Sequence, residues 1–275
     1  MHSAKPDNMA SRIPRIWPYR NCLTMNWKTR LRAASIHLLI SLGIAALAAT
    51  LVFALWYPYP YRELSGGREL FALLVSIDVI LGPLLTFSIF NLKKPRKELV
   101  RDLAIIGLLQ LGALGYGLWT VYEARPVHLV YEFDRFRVAH AADIDPSLLR
   151  QAPPALQQLP ITGPTMLAVR PLTGEESFSA TMAALQGAQM AFRPDLWQVY
   201  DAAAQARALA ASKALAQLLK KHPEQSANAA QLAQTAGLPV DALRYLPIQA
   251  RDTVWTAVIQ PQTGDIIGYL PVDGF

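Results

Sequence analysis

The chain has one cysteine, Cys22, in 275 residues, so no disulfide can form within it and any folded domain must be held by its own apolar core. Charge is scarce as well. Asp, Glu, Lys and Arg make up 17% of the chain against 52% hydrophobic residues, a balance too oily for an ordinary soluble protein. Motifs of common catalysis are missing: there is no HExxH, no P-loop, no G-x-S-x-G, and no G-x-G-x-x-G opening a helix after a strand. His128, His140 and His222 have no cysteine or histidine at metal-ligand spacing, so no metal and no other cofactor is expected. Internal repeats and long heptad runs are also lacking.

What the sequence has in quantity is apolar length. Three runs, 33–56, 69–90 and 102–122, each approach the roughly 20 residues needed to cross a hydrocarbon core about 30 Å thick. The expected architecture is a membrane protein with three transmembrane α-helices (33–122), preceded by a segment 1–32 and followed by an extracytoplasmic α+β domain (123–275). The formal charge of +6 is unevenly spread: residues 1–122 carry a net +8 and the remainder a net −2. The positive excess therefore belongs to the bilayer surface, and no nucleic-acid partner is expected.

Seven Lys or Arg precede the first run, five lie in the 91–101 loop, and only Arg62 and Arg68 separate the first run from the second. By the positive-inside rule the N-terminus and the 91–101 loop are cytoplasmic, and residues 57–68 and everything after Tyr122 lie outside. The bulky stretch WYPYPY after the first run resembles an aromatic belt rather than a cleavage site, so the helix is expected to be retained. Residues 1–24 show no periodicity, whereas Met25 opens a basic lead into the first helix, which predicts translation starting at Met25.

Within the second run, Asp78 stands among apolar and small residues, with Gly82-Pro83 one turn later. An ionised carboxylate near mid-membrane costs on the order of 3 kcal/mol by insertion scales, so a compensating contact is required, and Gln110 in the third run is the expected partner. Pro83 removes a backbone hydrogen bond and Gly82 permits a close neighbour. Asp78, Gly82, Pro83 and Gln110 therefore form either a buried packing cluster or a partner-binding, proton-linked site. A lone carboxylate among three helices argues against a transporter. Ser41, Ala45 and Ala49, and Ala113 with Gly117, have the spacing of close helix packing, and His37 is expected at the cytoplasmic interface.

In the exported part, 128–144 is rich in strand formers with a turn at Phe133–Phe136, 146–164 is a proline-rich exposed loop, and 165–171 reads as a strand. A helix is expected from Gly174 to about Gly187, a long one over 195–221 capped by Asp195 with Leu196 on its buried stripe, and a shorter one over 226–236 ending at Gly237. PQTGD between 254–259 and 266–270 predicts a hairpin. Asp143-Ile144-Asp145 matches the D-x-D with which glycosyltransferases hold a divalent ion, although its place before Pro146-Ser147 suits a turn or helix cap better.

The stretches LWYPYPYRELSGGRELFALLVSIDVILGPLLTFSIFN, EARPVHLVYEFDRFRVAHAADI and WTAVIQPQTGDIIGYLPVDGF, above all Gly67-Arg68-Glu69-Leu70, Asp78 with Gly82-Pro83, and Ala124-Arg125-Pro126-Val127 leading to Phe133-Asp134-Arg135-Phe136, resemble the TfpX/TfpZ family of type IV pilin accessory proteins. The resemblance implies a bacterial inner-membrane protein that assists pilin assembly, or modulates pilus extension and retraction, without enzymatic chemistry. Its implied partners are a type IV major pilin, the pilus assembly machinery and the lipid bilayer. Pilin subunits wait in that membrane with an apolar helix embedded and a globular head outside. Alternatives from other classes are a membrane enzyme that modifies pilin and an extracytoplasmic sensor; no signalling domain follows on the cytoplasmic side to support the latter.

Overall fold

The computed structural model describes residues 27–185 and 189–275; the segment before Trp27, and with it the Met25 expectation, lies outside the described residues. Among the described residues, three helices are long and apolar enough to cross a membrane. The first, α1 (Trp27–Thr50), continues into a π-helical turn, Leu51–Trp56. It begins six residues before the expected boundary because Lys28, Arg30 and Arg32 end the apolar run without ending the helix. A short helix, α2 (Tyr61–Leu64), follows, then α3 (Gly67–Ile89) and α4 (Arg96–Glu123). The expected loop 91–101 is shorter than predicted, since its basic residues from Arg96 onward form the first turns of α4.

The rest of the chain is a mixed sheet with helices. Its strands are β1 (Pro126–Glu132), β2 (Arg135–His140), β3 (Thr165–Val169), β4 (Trp197–Val199), β5 (Lys213–Ala214), β6 (Arg244–Gln249), β7 (Val254–Ile259) and β8 (Ile266–Leu270). The order is β4-β3-β1-β2-β6-β7-β8, with β5 beside β6. β1–β3 and β2–β6 are parallel, and the other pairs are antiparallel. The helices are α5 (Gly174–Leu185), α6 (Ala202–Ala211), α7 (Leu215–Lys221) and α8 (Ser226–Ala236). The expected end of α5 near Gly187 falls outside the described residues.

The strand period of two separates the core. Leu129, Tyr131 and Ala168 face Ala204 and Ala208 of α6, while Val130, Leu167 and Val169 face Ile144, Leu196 and Trp197. The turn expected at Phe133 is present, with Phe133 at φ 53°, and the terminal hairpin pairs Thr256 with Leu270 and Ala257 with Tyr269.

The long helix expected over 195–221 does not form. Pro194–Leu196 is a single tight turn, 197–199 is a strand, and helix is confined to α6 and α7. Two tertiary contacts override the helical propensity of the alanine-rich sequence. Trp197 is buried, its indole Nε1 donating to the Ala191 carbonyl at 2.9 Å. At the second break, Arg244 donates to the Ser212 hydroxyl at 2.8 Å and also to its carbonyl. The helix cap is accordingly Asp201, which accepts from the Ala204 amide at 2.9 Å, and Leu196 lies in the opposite core rather than on a helix stripe.

Strand β6 had no counterpart in the sequence reading because Pro247 interrupts it. The proline is tolerated because β6 changes neighbour there: Arg244 and Tyr245 pair with β5, and Ile248 and Gln249 pair with β2.

The segment between α1 and α3 is built into the sheet domain. Tyr61 and Leu64 belong to the core beneath β1, β2, β6 and β7, Thr253 Oγ1 donates to the Leu64 carbonyl at 3.0 Å, and the Tyr59 ring lies 6.4 Å from both Trp255 and Tyr269. The proline-rich loop is tied to the helix ends: Gly163 donates to the Leu55 carbonyl at 2.6 Å, and Arg125, stacked on Tyr122, donates to the Pro160 carbonyl at 3.2 and 3.3 Å. Segment 57–66 and the sheet domain therefore share one side of the helical region.

Candidate functional site between the membrane helices

Asp78, Gly82 and Thr86 recur every four residues and so occupy one face of α3; Gly82 and Thr86 are buried. That face carries the polar contacts of the bundle. Gln110 Nε2 of α4 donates to the backbone carbonyl of Asp78 at 3.1 Å, so the expected Asp78–Gln110 pairing exists but runs through the main chain rather than the carboxylate. Gly82 lies beneath it and leaves room for this contact, because a Cβ there would force the Gln110 amide to shift. Pro83 lies inside α3, which runs through it with the Val79 carbonyl deprived of its helical donor. The four residues expected to cluster are thus neighbours.

Two more members escaped the sequence reading. His37 Nδ1 and Thr86 Oγ1 are hydrogen-bonded at 2.6 Å, which makes the His37 side chain a contact between α1 and α3. The four-residue spacing from Gly82 would have flagged Thr86. Of the small residues expected at helix contacts, Ser41 is buried, with Ala34 and Ala48 on the same face, and Gly117 receives the Leu74 side chain, whereas Ala113 is exposed.

Helices α1 and α4 each pack along α3 and scarcely touch one another. At the end nearest the sheet domain the gap is closed. Val52, Tyr57 and Val121 are buried there with Leu74 and Leu118, Tyr57 Oη donates to the Val121 carbonyl at 3.1 Å, and Trp56 meets Tyr122 edge-on at 5.1 Å. Farther along, the gap opens into a cavity of about 190 Å³ lined by His37, Ser41, Ala45, Asp78, Gly107 and Gln110. It shares His37 and Ile40 with a neighbouring groove of about 600 Å³ bordered by Arg32, Ile36, Phe90 and Leu103. Asp78 Oδ1 and Gln110 Oε1 are buried and have no hydrogen-bonding partner among the described residues.

The sheet domain offers less chemistry. Asp143 accepts from the His140 amide at 3.2 Å, contacts His140 Nδ1 at 3.0 Å and holds Arg251 at 2.7 Å. Burial opposes its ionisation, but His140 and Arg251 outweigh that and leave its carboxyl below the usual value. Asp145 accepts from the Ser147 amide at 2.8 Å. Each aspartate is engaged in its own turn, so the two do not form a paired cradle. His128 is buried beside Trp197, its Nδ1 bonded to Thr165 Oγ1 at 2.8 Å and its Nε2 without a partner among the described residues; burial pushes its pKa down to about 4. His222 contacts Glu224 at 3.0 Å. Among the described residues, no three His, Cys, Asp or Glu side chains gather as a metal site.

Residues 25–66 match the family model described as fimbrial assembly protein FimB. Over 246 residues the chain is 37% identical to a fimbrial assembly protein, serogroup I, of Dichelobacter nodosus, covering 89% of this chain and 95% of that protein. The chain belongs to the fimbrial assembly protein FimB family. A second FimB relative, the serogroup E1 protein of the same organism, is 35% identical over the same length and coverage. The serogroups C1 and C2 protein is 44% identical over 124 residues, which is 45% of this chain and 92% of that protein. The longer matches embrace both the membrane helices and the sheet domain, so the two parts belong to the FimB family together. No solved structure matches.

Proposed function

We propose that this FimB-family protein is a non-enzymatic accessory of type IV pilus assembly, of the TfpX/TfpZ kind, acting by contact with a cognate major pilin to assist its assembly or to modulate pilus extension and retraction. The observation that carries it is the near full-length match to D. nodosus proteins named for fimbrial assembly. The architecture supports it, since a partner with an embedded helix and an exported head calls for a membrane surface joined to an exported domain. In this assignment the protein sits in the inner membrane with its N-terminus cytoplasmic and its sheet domain periplasmic. Basic residues before α1 and between α3 and α4 favour that orientation. The packing of segment 57–66 into the sheet domain agrees with both lying on one side. The one motif that favoured a pilin-modifying enzyme is lost, because Asp143 and Asp145 are committed to separate turns.

The test is deletion, with surface pili and total pilin measured while retraction is active and while it is blocked. Fewer surface pili, restored in part when retraction is blocked, is the expected result. Piliation unchanged in every combination would refute an accessory role, and a change in pilin mass would return the enzymatic reading.

A further inference from the structure

The gap between α1 and α4 is shaped and lined unlike a helix contact waiting only for lipid. Its walls are mostly apolar, with the small residues Ser41 and Ala45 of α1 and Gly107 of α4 set among Ile40, Ile44 and Leu111. Gly107 has nothing within 4 Å of the position a Cβ would take, so its backbone is free to be approached closely, as in helix pairs built on small residues. Its floor holds two buried oxygen atoms, Asp78 Oδ1 and Gln110 Oε1, that lack a donor. Whatever the protonation state of Asp78, the Gln110 carbonyl can only accept. An acyl chain brings no N–H or O–H group, and unsatisfied polar atoms in hydrocarbon are costly.

We propose that this crevice is the docking site for the apolar membrane helix of the pilin, which supplies an N–H or O–H donor at the depth of Asp78 and Gln110. The assignment rests on the pilin reading above and makes it specific. The closed end near the sheet domain, sealed by Tyr57 and Val121, limits how far a helix wedges between α1 and α4. The open end bordered by Arg32 and Leu103 lets it enter sideways from the bilayer. Hydrogen bonding to the Gln110 carbonyl beside Asp78 fixes its depth, and Ser41, Ala45 and Gly107 allow its close approach.

The experiment places a photoreactive benzoylphenylalanine in the full-length protein in native membranes. Ile40 and Leu111 line the crevice; Leu39 and Leu109, one and two positions away on the same helices and similarly exposed, do not line it; the exposed Phe178 reports on the sheet domain. Adducts to pilin, identified by mass spectrometry, are expected about tenfold more often at Ile40 and Leu111 than at Leu39 and Leu109, a preference worth about 1.4 kcal/mol. Filling the crevice with Gly107→Phe, at unchanged protein level, should lower the Ile40 adduct by a similar factor. Asp78→Asn, which keeps an acceptor, should leave it intact, while Asp78→Leu should lower it.

Pilin adducts confined to Phe178, or equal on all membrane faces, would overturn the crevice assignment and leave the pilin reading standing. So would Ile40 adducts that survive Gly107→Phe, or crevice adducts made only of phospholipid or of a second copy of this chain. Absence of pilin adducts from every position would overturn both.

Discussion

Acid should weaken the sheet domain through one histidine. His128 lies in β1, 2% exposed, with Trp197 edge-on at 4.8 Å and no acceptor for a second ring N–H. Its pKa falls from 6.5 to about 4 in the folded chain through burial. The unfolded chain therefore binds the proton more readily. Stability from the neutral ring is fully present above pH 6.5 and is lost as pH falls toward 4. At about 1.4 kcal/mol per unit, the loss by pH 4.5 is about 2.5 kcal/mol, or a melting point lower by about 5–10 °C for a domain of this size. Asp143 and Glu176, both held below their usual carboxyl values by hydrogen-bonded cations, lose their contributions mainly below this window, because a lowered carboxyl is stabilising until pH falls past its unfolded value. The assay is thermal unfolding of the full-length protein in a detergent of constant headgroup charge, at intervals from pH 7 to 4.5, compared with His128→Gln. Glutamine keeps a donor for Thr165 but does not titrate. The wild-type curve should fall more steeply than that of the variant by the amount given. Parallel curves would refute the reasoning.

Other substitutions test the packing. Leu64→Ala removes a side chain that is 2% exposed in the sheet-domain core and should cost about 2–5 kcal/mol, read as faster amide exchange in β6 and β7 rather than in the membrane helices. Asp201→Ala removes the cap of α6 and should cost about 1 kcal/mol, measurable as a lower melting point with no change in membrane insertion. Gly82→Ala places a methyl group where the Gln110 amide lies and should weaken the α3–α4 contact by about 1 kcal/mol. Combined with Gln110→Ala the two losses should be less than additive, and strict additivity would mean that the two side chains do not share a contact.

The membrane helices were legible because an unbroken apolar run about 20 residues long has no competing solution, while their ends were less so because lysine and arginine continue a helix as readily as they leave a bilayer. Strands β1, β7 and β8 showed themselves through β-formers bounded by turns. The segment after Asp195 misled because Ala-rich helical propensity is local, and the burial of Trp197 and the grip of Arg244 on Ser212 are not. Strand β6 was hidden by Pro247, whose tolerance depends on a change of neighbour that no local pattern records. At the site, Asp78 and Gly82-Pro83 stood out as chemistry foreign to their surroundings. His37 and Thr86 did not, since each is unremarked alone and only the packing of α1 on α3 joins them.

Because Tyr61 and Leu64 complete the sheet core, the order of synthesis matters. These two residues leave the ribosome long before β6 and β7, and the bond from Thr253 to Leu64 spans 189 positions. The sheet-domain core closes only when nearly the whole chain has been made. Until then, the core side chains of segment 57–66, which lies between α1 and α3, lack their partners from β6 and β7. A chain cut short before β7 would keep its three apolar helices and leave Tyr61 and Leu64 without the β7 side chains that complete their core.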